Sequence, residues 1–248
     1  MICREGRWEV CLRRINIMKK NISKEMIIVI VSFLIVIGGL IWFFSSSIEK
    51  FIINSKGQTE IKVSHQVMKE NQKKVGTFKP EEITPKTTAE YFSDYFSKSN
   101  LPVVGILSIP DVHMILPIFN GTTNETMSYG AGTAKPNQTM GKGNYSLASH
   151  TIFNMYSGEV MSGILFGNLI YSHVGQGIYL TDKDKVFEYK IDTIYTVNVN
   201  QGNIIDDHNK KNEITLYTCT TLTGDERLVV HGNLVQTSSY TASHSIFE

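Results

Sequence analysis

Residues 186–199 read VFEYKIDTIYTVNV, and this stretch decides the fold class. Phe187, Tyr189, Ile191, Tyr195, Val197 and Val199 fall on one face, and Glu188, Lys190, Asp192, Thr196 and Asn198 largely on the other. A period of two belongs to a β-strand with one buried face. Outward from it, similar stretches recur upstream at 177–181, 143–150, 112–118 and 101–109, the last two split by Pro110-Asp111. Downstream lie 213–219 and 227–235, and clusters of Gly, Asn and Asp separate the runs. Many short strands with little helix predict an antiparallel barrel or sandwich. One short amphipathic helix is predicted just before them. Thr87 and Glu90 fit a capping box, and Tyr91, Phe92, Tyr95 and Phe96 form its stripe up to Ser99.

The N-terminal part follows other rules. Residues 26–44, MIIVIVSFLIVIGGLIWFF, carry no charge. As a helix rising about 1.5 Å per residue they reach roughly 28 Å, enough for a bilayer core of about 30 Å. Trp42 and Phe43 stand at its outer end, where aromatic side chains suit headgroups. Residues 1–25 carry a net +4, which predicts a cytoplasmic N-terminus and an exported remainder. A cleaved signal peptide is the competing reading, but the run is longer than the usual apolar core and no A-x-A site follows. Met18-Lys19-Lys20 also resembles an alternative start. The chain as a whole carries +1, so the part beyond residue 44 carries −3 and has no basic excess with which to bind nucleic acid. Residues 45–86 are polar and rich in Lys, Gln, Glu and Ser, which predicts a stalk, partly helical or disordered.

Three cysteines occur, Cys3, Cys11 and Cys219. The topology leaves Cys219 alone outside the membrane, either a reactive thiol or a small buried hydrophobe. It ends the run EITLYTC at 213–219, where Thr215, Tyr217 and Cys219 point one way and Ile214, Leu216 and Thr218 the other. A turn through Leu222-Thr223-Gly224-Asp225 brings Arg227 back towards it. A nearby cation stabilises a thiolate, and a guanidinium also holds a developing oxyanion. Proton transfer to an amine leaving group calls for an imidazole. Of seven histidines, His150 at the end of NYSLASH and His231 on the strand of Arg227 are the candidates, and patterning leaves both open. His65, His208 and His244 are expected to be solvated, His113 structural and His173 a turn residue. No G-x-S-x-G elbow, Walker loop, HExxH or C-x-x-C motif occurs.

These residues resemble a known family. TLYTC at 215–219 is similar to the TLxTC signature of class A sortases, LASHT at 147–151 to the segment carrying their catalytic histidine, and ERLVVHGNL at 226–234 to the strand opened by their catalytic arginine. LSIPDVHMILPI at 107–118 resembles their early paired strands, and the similarity runs over about residues 90–236. The resemblance implies an all-β, eight-stranded sortase-type barrel with short helices behind an N-terminal transmembrane helix. The implied division is a cytoplasmic segment 1–25, a span 26–44, a stalk 45–86, a catalytic domain 87–238 and a tail 239–248.

The same resemblance implies the chemistry. Cys219 attacks the Thr carbonyl of a Leu-Pro-x-Thr-Gly signal, His150 serves as acid and base, and Arg227 stabilises the oxyanion, which leaves His231 structural. It places Thr218 against the bound signal and Ile164, Leu165 and Phe166 (in GILFGNL, 163–169) beside its Leu-Pro part. The implied partners are signal-bearing surface proteins, a lipid II cross-bridge amine and the plasma membrane of a Gram-positive envelope. Some class A sortases bind calcium through early-strand carboxylates; here Ser108, Met114, Ile115 and Leu116 stand in that neighbourhood, leaving Asp111, so calcium-independent activity with no cofactor is expected. Two other functions remain compatible with these residues: a thiol hydrolase, and a non-catalytic, membrane-tethered wall-binding barrel.

Overall fold

The computed structural model describes residues 23–79, 101–154, 157–208 and 211–248. The helix expected at 87–99 lies outside the described residues. Two compact units divide at Ser45 and Ser46. In the first, helix α1 (Lys24–Glu60) begins, and it is long and apolar enough to cross a membrane. Its apolar side chains here, Leu34, Ile35 and Trp42 among them, are exposed.

In the second unit the chain does not form the expected stalk. The last turns of α1 bury Ile52, Ile53, Lys56 and Gly57, a stripe of helical spacing. Gly57 permits the close approach, since a Cβ there would stand 3.0 Å from the carbonyl oxygen of Tyr129. Lys183 Nζ then donates to the carbonyls of Ile61 and Val63 beyond the helix end, at 2.8 and 2.7 Å. Helix α2 (His65–Gln72), capped by Ser64, buries Met68 and sends Asn71 Nδ2 to the carbonyl of Val103. The physical reason is that a few apolar residues at helical spacing suffice to dock a segment whose average composition is polar.

The remaining elements are β1 (Thr77–Phe78), β2 (Val103–Ile109), β3 (Met114–Phe119), β4 (Gly121–Thr122), helix α3 (Asn124–Tyr129), β5 (Ala131–Thr133), β6 (Asn144–Ala148), β7 (Gly177–Thr181), β8 (Lys185–Asn198), β9 (Glu213–Cys219), β10 (Glu226–Ser239) and helix α4 (Tyr240–Ser243). Eight strands close a barrel in the order β10-β8-β7-β2-β3-β5-β6-β9. The hydrophobic core holds Val103, Ile106, Phe119, Leu147, Ile214 and Leu216 among others.

The barrel is mixed rather than antiparallel: β3 pairs with β5, and β6 with β9, in parallel. The second of these pairs positions the site, because parallel neighbours finish at the same end of a barrel. The stretch that opened the sequence reading is also modified. Thr193 pairs with His231 and Ile191 with Gly232, so Asp192 is an extra, bulged residue. Beyond the bulge the faces exchange. Ile194 packs on the core, whereas Tyr195 is exposed.

Candidate active site

The last four residues of β9 alternate as the sequence predicts, whereas Thr215, expected on the face of Tyr217 and Cys219, is buried at 1% exposure. Ile214, Leu216 and Thr218 are buried at 0%, 0% and 2% exposure, and Tyr217 and Cys219 on the opposite face are half-buried. Cys219 carries a free thiol. Across the antiparallel β9–β10 pair Cys219 stands opposite Arg227, and Val197 of β8 stands on the far side of Arg227. Across the parallel β6–β9 pair Ala148 stands beside Tyr217, and Ser149 and Thr151, on either side of His150, both bond Thr218, the residue before Cys219. The Cys219–Arg227 pair and His150, just past the end of β6, thus fall along one row at the ends of three adjacent strands. His150 and Arg227 are both half-buried.

Two devices fix the row. On its inner side the Thr218 hydroxyl donates to the carbonyl of Ser149 at 2.7 Å and accepts from Thr151 at 2.8 Å. Ser149 in turn donates to the carbonyl of Gly130. The residues before Cys219 and on both sides of His150 are therefore tied together. At the other strand the turn carries Gly224 at φ +68°, and its carbonyl accepts from Arg227 Nη1 at 2.5 Å. Thr221 and Thr223 donate to Asp225, and these bonds hold its carboxyl below the usual range. Arg227 is felt one row down, where burial pushes the Tyr217 phenol up and the guanidinium charge draws it partly back.

His231 stands opposite Thr215, four residues along β10 from Arg227 and roughly 13 Å away. Its Nδ1 bonds Asp192 at 2.7 Å. It stands four residues from the Cys219–Arg227 pair, whereas His150 lies between two residues that bond Thr218. His208 is exposed, as expected, and its Nδ1 also pairs at 2.9 Å with the buried carboxylate of Glu213. Ile164, Leu165 and Phe166 lie in the hydrophobic core at 1%, 2% and 0% exposure, so the structure presents none of them to a bound peptide. Thr218 is equally buried and its hydroxyl is engaged.

Sequence reasoning passed over the segment between β8 and β9. Asn144 Nδ2 donates to the carbonyls of Ile204 and Asp206, and Lys135 Nζ to that of Ile205 and to Asp207 at 2.6 Å. This segment therefore covers the start of β6, at the end of that strand away from His150. Asp207 also accepts from the Asn144 amide, and the Lys135 and Asn144 bonds hold its carboxyl below the usual range. Its signal in the sequence was slight, a pair of aspartates and one lysine far upstream.

Residues 107–235, more than half of the chain, match the Sortase domain family. The chain belongs to the sortase family. This sortase is 38% identical over 219 residues to sortase A of Streptococcus agalactiae, covering 87% of each chain. It is 30% identical over 214 residues to sortase A of Listeria monocytogenes, covering 85% of this chain and 93% of that one. The solved structure of Listeria monocytogenes sortase A superposes with a TM-score of 0.52 at 34% identity, over 58% of this chain and 97% of that one. These relatives make the chain a class A sortase, a cysteine transpeptidase that acts on surface-protein sorting signals and cell-wall amines.

Proposed function

We propose that this sortase cleaves a Leu-Pro-x-Thr-Gly signal between Thr and Gly and passes the Thr acyl group to the cross-bridge amine of lipid II. The observation that carries the reading is a free thiol at the end of β9, with a guanidinium directly opposite it on β10 and an imidazole just past the end of the parallel neighbour β6. Cys219 Sγ, as thiolate, attacks the Thr carbonyl carbon. The imidazolium of His150 gives its proton to the Gly nitrogen as the C–N bond breaks, leaving a thioester and a free amine. The incoming amine then attacks the thioester, His150 takes its proton, and Cys219 leaves as thiolate. Arg227 holds the carbonyl oxygen as negative charge builds on it. Thr218 acts by tying the two strand ends rather than by touching the signal.

The apolar part of α1 spans the plasma membrane with the basic N-terminus inside and Ser46–Glu248 outside. Activity needs no calcium. Lys135 supplies the positive charge where Asp207 and the carbonyl of Ile205 converge, so the segment between β8 and β9 is anchored by an ammonium. Equal turnover in millimolar calcium and in chelator is expected, and stimulation by calcium would overturn this.

The test uses the full chain in detergent with a fluorogenic Leu-Pro-x-Thr-Gly peptide and a glycine-type amine. Transfer product is expected, and it should disappear in Cys219→Ala, His150→Ala and Arg227→Ala. Hydrolysis alone at every amine concentration would mark a thiol hydrolase. Absence of turnover would leave a wall-binding barrel.

A further inference from the structure

The loop that follows His150 is held by α1. Lys50 Nζ donates to the carbonyl of Ser162 and Asn54 Nδ2 to that of Gly163, each at 3.0 Å. The Gly163 amide donates to Asn168 Oδ1 at 2.6 Å, and Asn168 Nδ2 to the carbonyl of Val112 at 2.7 Å. Three residues after Gly163, the Phe166 amide donates to the carbonyl of His150 at 3.1 Å. A line of hydrogen bonds and three peptide units thus joins two side chains of α1 to the backbone of His150.

Two features make the loop depend on these hooks. Leu165 sits at φ +48°, where a residue with a Cβ is disfavoured by roughly 1–2 kcal/mol. Such a conformation persists only where the surroundings impose it. Its apolar side chains pack into the core, but the loop also borders a cavity of about 540 Å³ lined by Asn54, Gln58, Met114, Gly163, Leu165 and Asn168. On that side, among the described residues, the bonds from Lys50 and Asn54 are the loop's polar ties to α1.

We propose that Lys50 and Asn54 are positioning residues for His150, so that the end of α1 sets where the imidazole stands relative to Cys219. The helix that carries the membrane span then also tunes the enzyme. This rests on the reading of His150 as the acid–base partner of the thiol.

The test uses the full chain in detergent with Lys50→Met, Asn54→Leu, the double variant, and Lys50→Arg, which keeps a donor. Three quantities are read: kcat and KM on the signal peptide, the thermal midpoint, and the pH dependence of Cys219 alkylation by iodoacetamide, followed on its tryptic peptide by mass spectrometry. The last needs no sorting signal. In the double variant kcat is expected to fall roughly tenfold with KM within about twofold, the effect of a small misplacement. The alkylation profile should shift towards that of His150→Ala, and Lys50→Arg should stay at wild type. Lys50 is exposed, so Lys50→Met leaves the core intact even where Asn54→Leu impairs folding. An unchanged alkylation profile would overturn the proposal, as would activity lost only in proportion to folded protein. A wild type that cleaves no signal peptide, with the alkylation shift still present in the variants, would defeat the proposed function and leave this inference standing.

Discussion

Cys219 and Arg227 are directly opposed residues of the β9–β10 hairpin. In such a pair the Cβ atoms stand about 4.5–5.5 Å apart on one face, so register alone brings the thiol and the guanidinium together. A slip of one residue would turn Cys219 into the barrel. The turn holding the register is therefore part of the site.

Gly224→Ala tests that turn. A methyl there meets Arg227 Nη1 at 3.7 Å and Cys219 Sγ at 4.0 Å, both ordinary contacts. Its cost lies in φ +68°, roughly 1–2 kcal/mol for a residue with a Cβ. A lower thermal midpoint and a several-fold loss of kcat are expected. Gly224→Asn, which tolerates the left-handed region better, should recover part of both. Equal behaviour of Ala and Gly would mean that the turn does not set the register.

Thr218→Val removes the hydroxyl and keeps the shape. The Ser149 carbonyl and the Thr151 hydroxyl lose a buried partner, at about 1–3 kcal/mol. Because the lost bonds tie the strand ends of His150 and Cys219, kcat should fall further than the melting point alone explains. Thr218→Ser should restore it. A Val variant with normal kcat would separate the clamp from catalysis.

The local parts of this site were legible in the sequence and the long-range parts were not. EITLYTC alternates, a turn follows, and Arg227 opens the next strand, so the hairpin is visible within fifteen residues. The parallel pairing of β6 with β9 joins Ala148 to Tyr217 across a long stretch of chain, and no local pattern encodes it. The resemblance of LASHT to a known segment, rather than periodicity, singled out His150 over His231. The bulge at Asp192 was hidden because alternation reads the same until one residue drops out of the ladder. The docking of α1 was hidden because Ile52, Ile53 and Gly57 are sparse within a polar stretch.

Acid should loosen the β8–β10 bulge. Burial raises the Asp192 pKa, but hydrogen bonds and charge from His231, with bonds from Asn233 and Thr193, outweigh it and hold the carboxyl below its usual value of 3.8. A depressed folded-state pKa gives stability that is present above the unfolded value and is lost as pH falls through the folded one. Asp192→Asn is therefore expected to flatten the decline in melting temperature below about pH 4, leaving the rest of the pH curve in place. Parallel curves for both proteins through that range would contradict it.

Two shortened chains separate the membrane segment from the fold. A chain beginning at residue 46 keeps Ile52, Ile53 and Met68, which are 3%, 1% and 1% exposed. One beginning at residue 75 loses all three, each a contribution of about 1.5–3 kcal/mol and an upper estimate by area. It also strips the Asn71 bond from the Val103 carbonyl and leaves Lys183 without its two acceptors. Against a typical stability of about 5–15 kcal/mol, these losses are large. The longer chain should melt cooperatively, and the shorter should melt far lower or fail to fold. Hydrogen exchange would place the difference, with β2 losing protection first because α2 packs on it. Matching melting curves for the two chains would show that α1 and α2 rest on the barrel without supporting it.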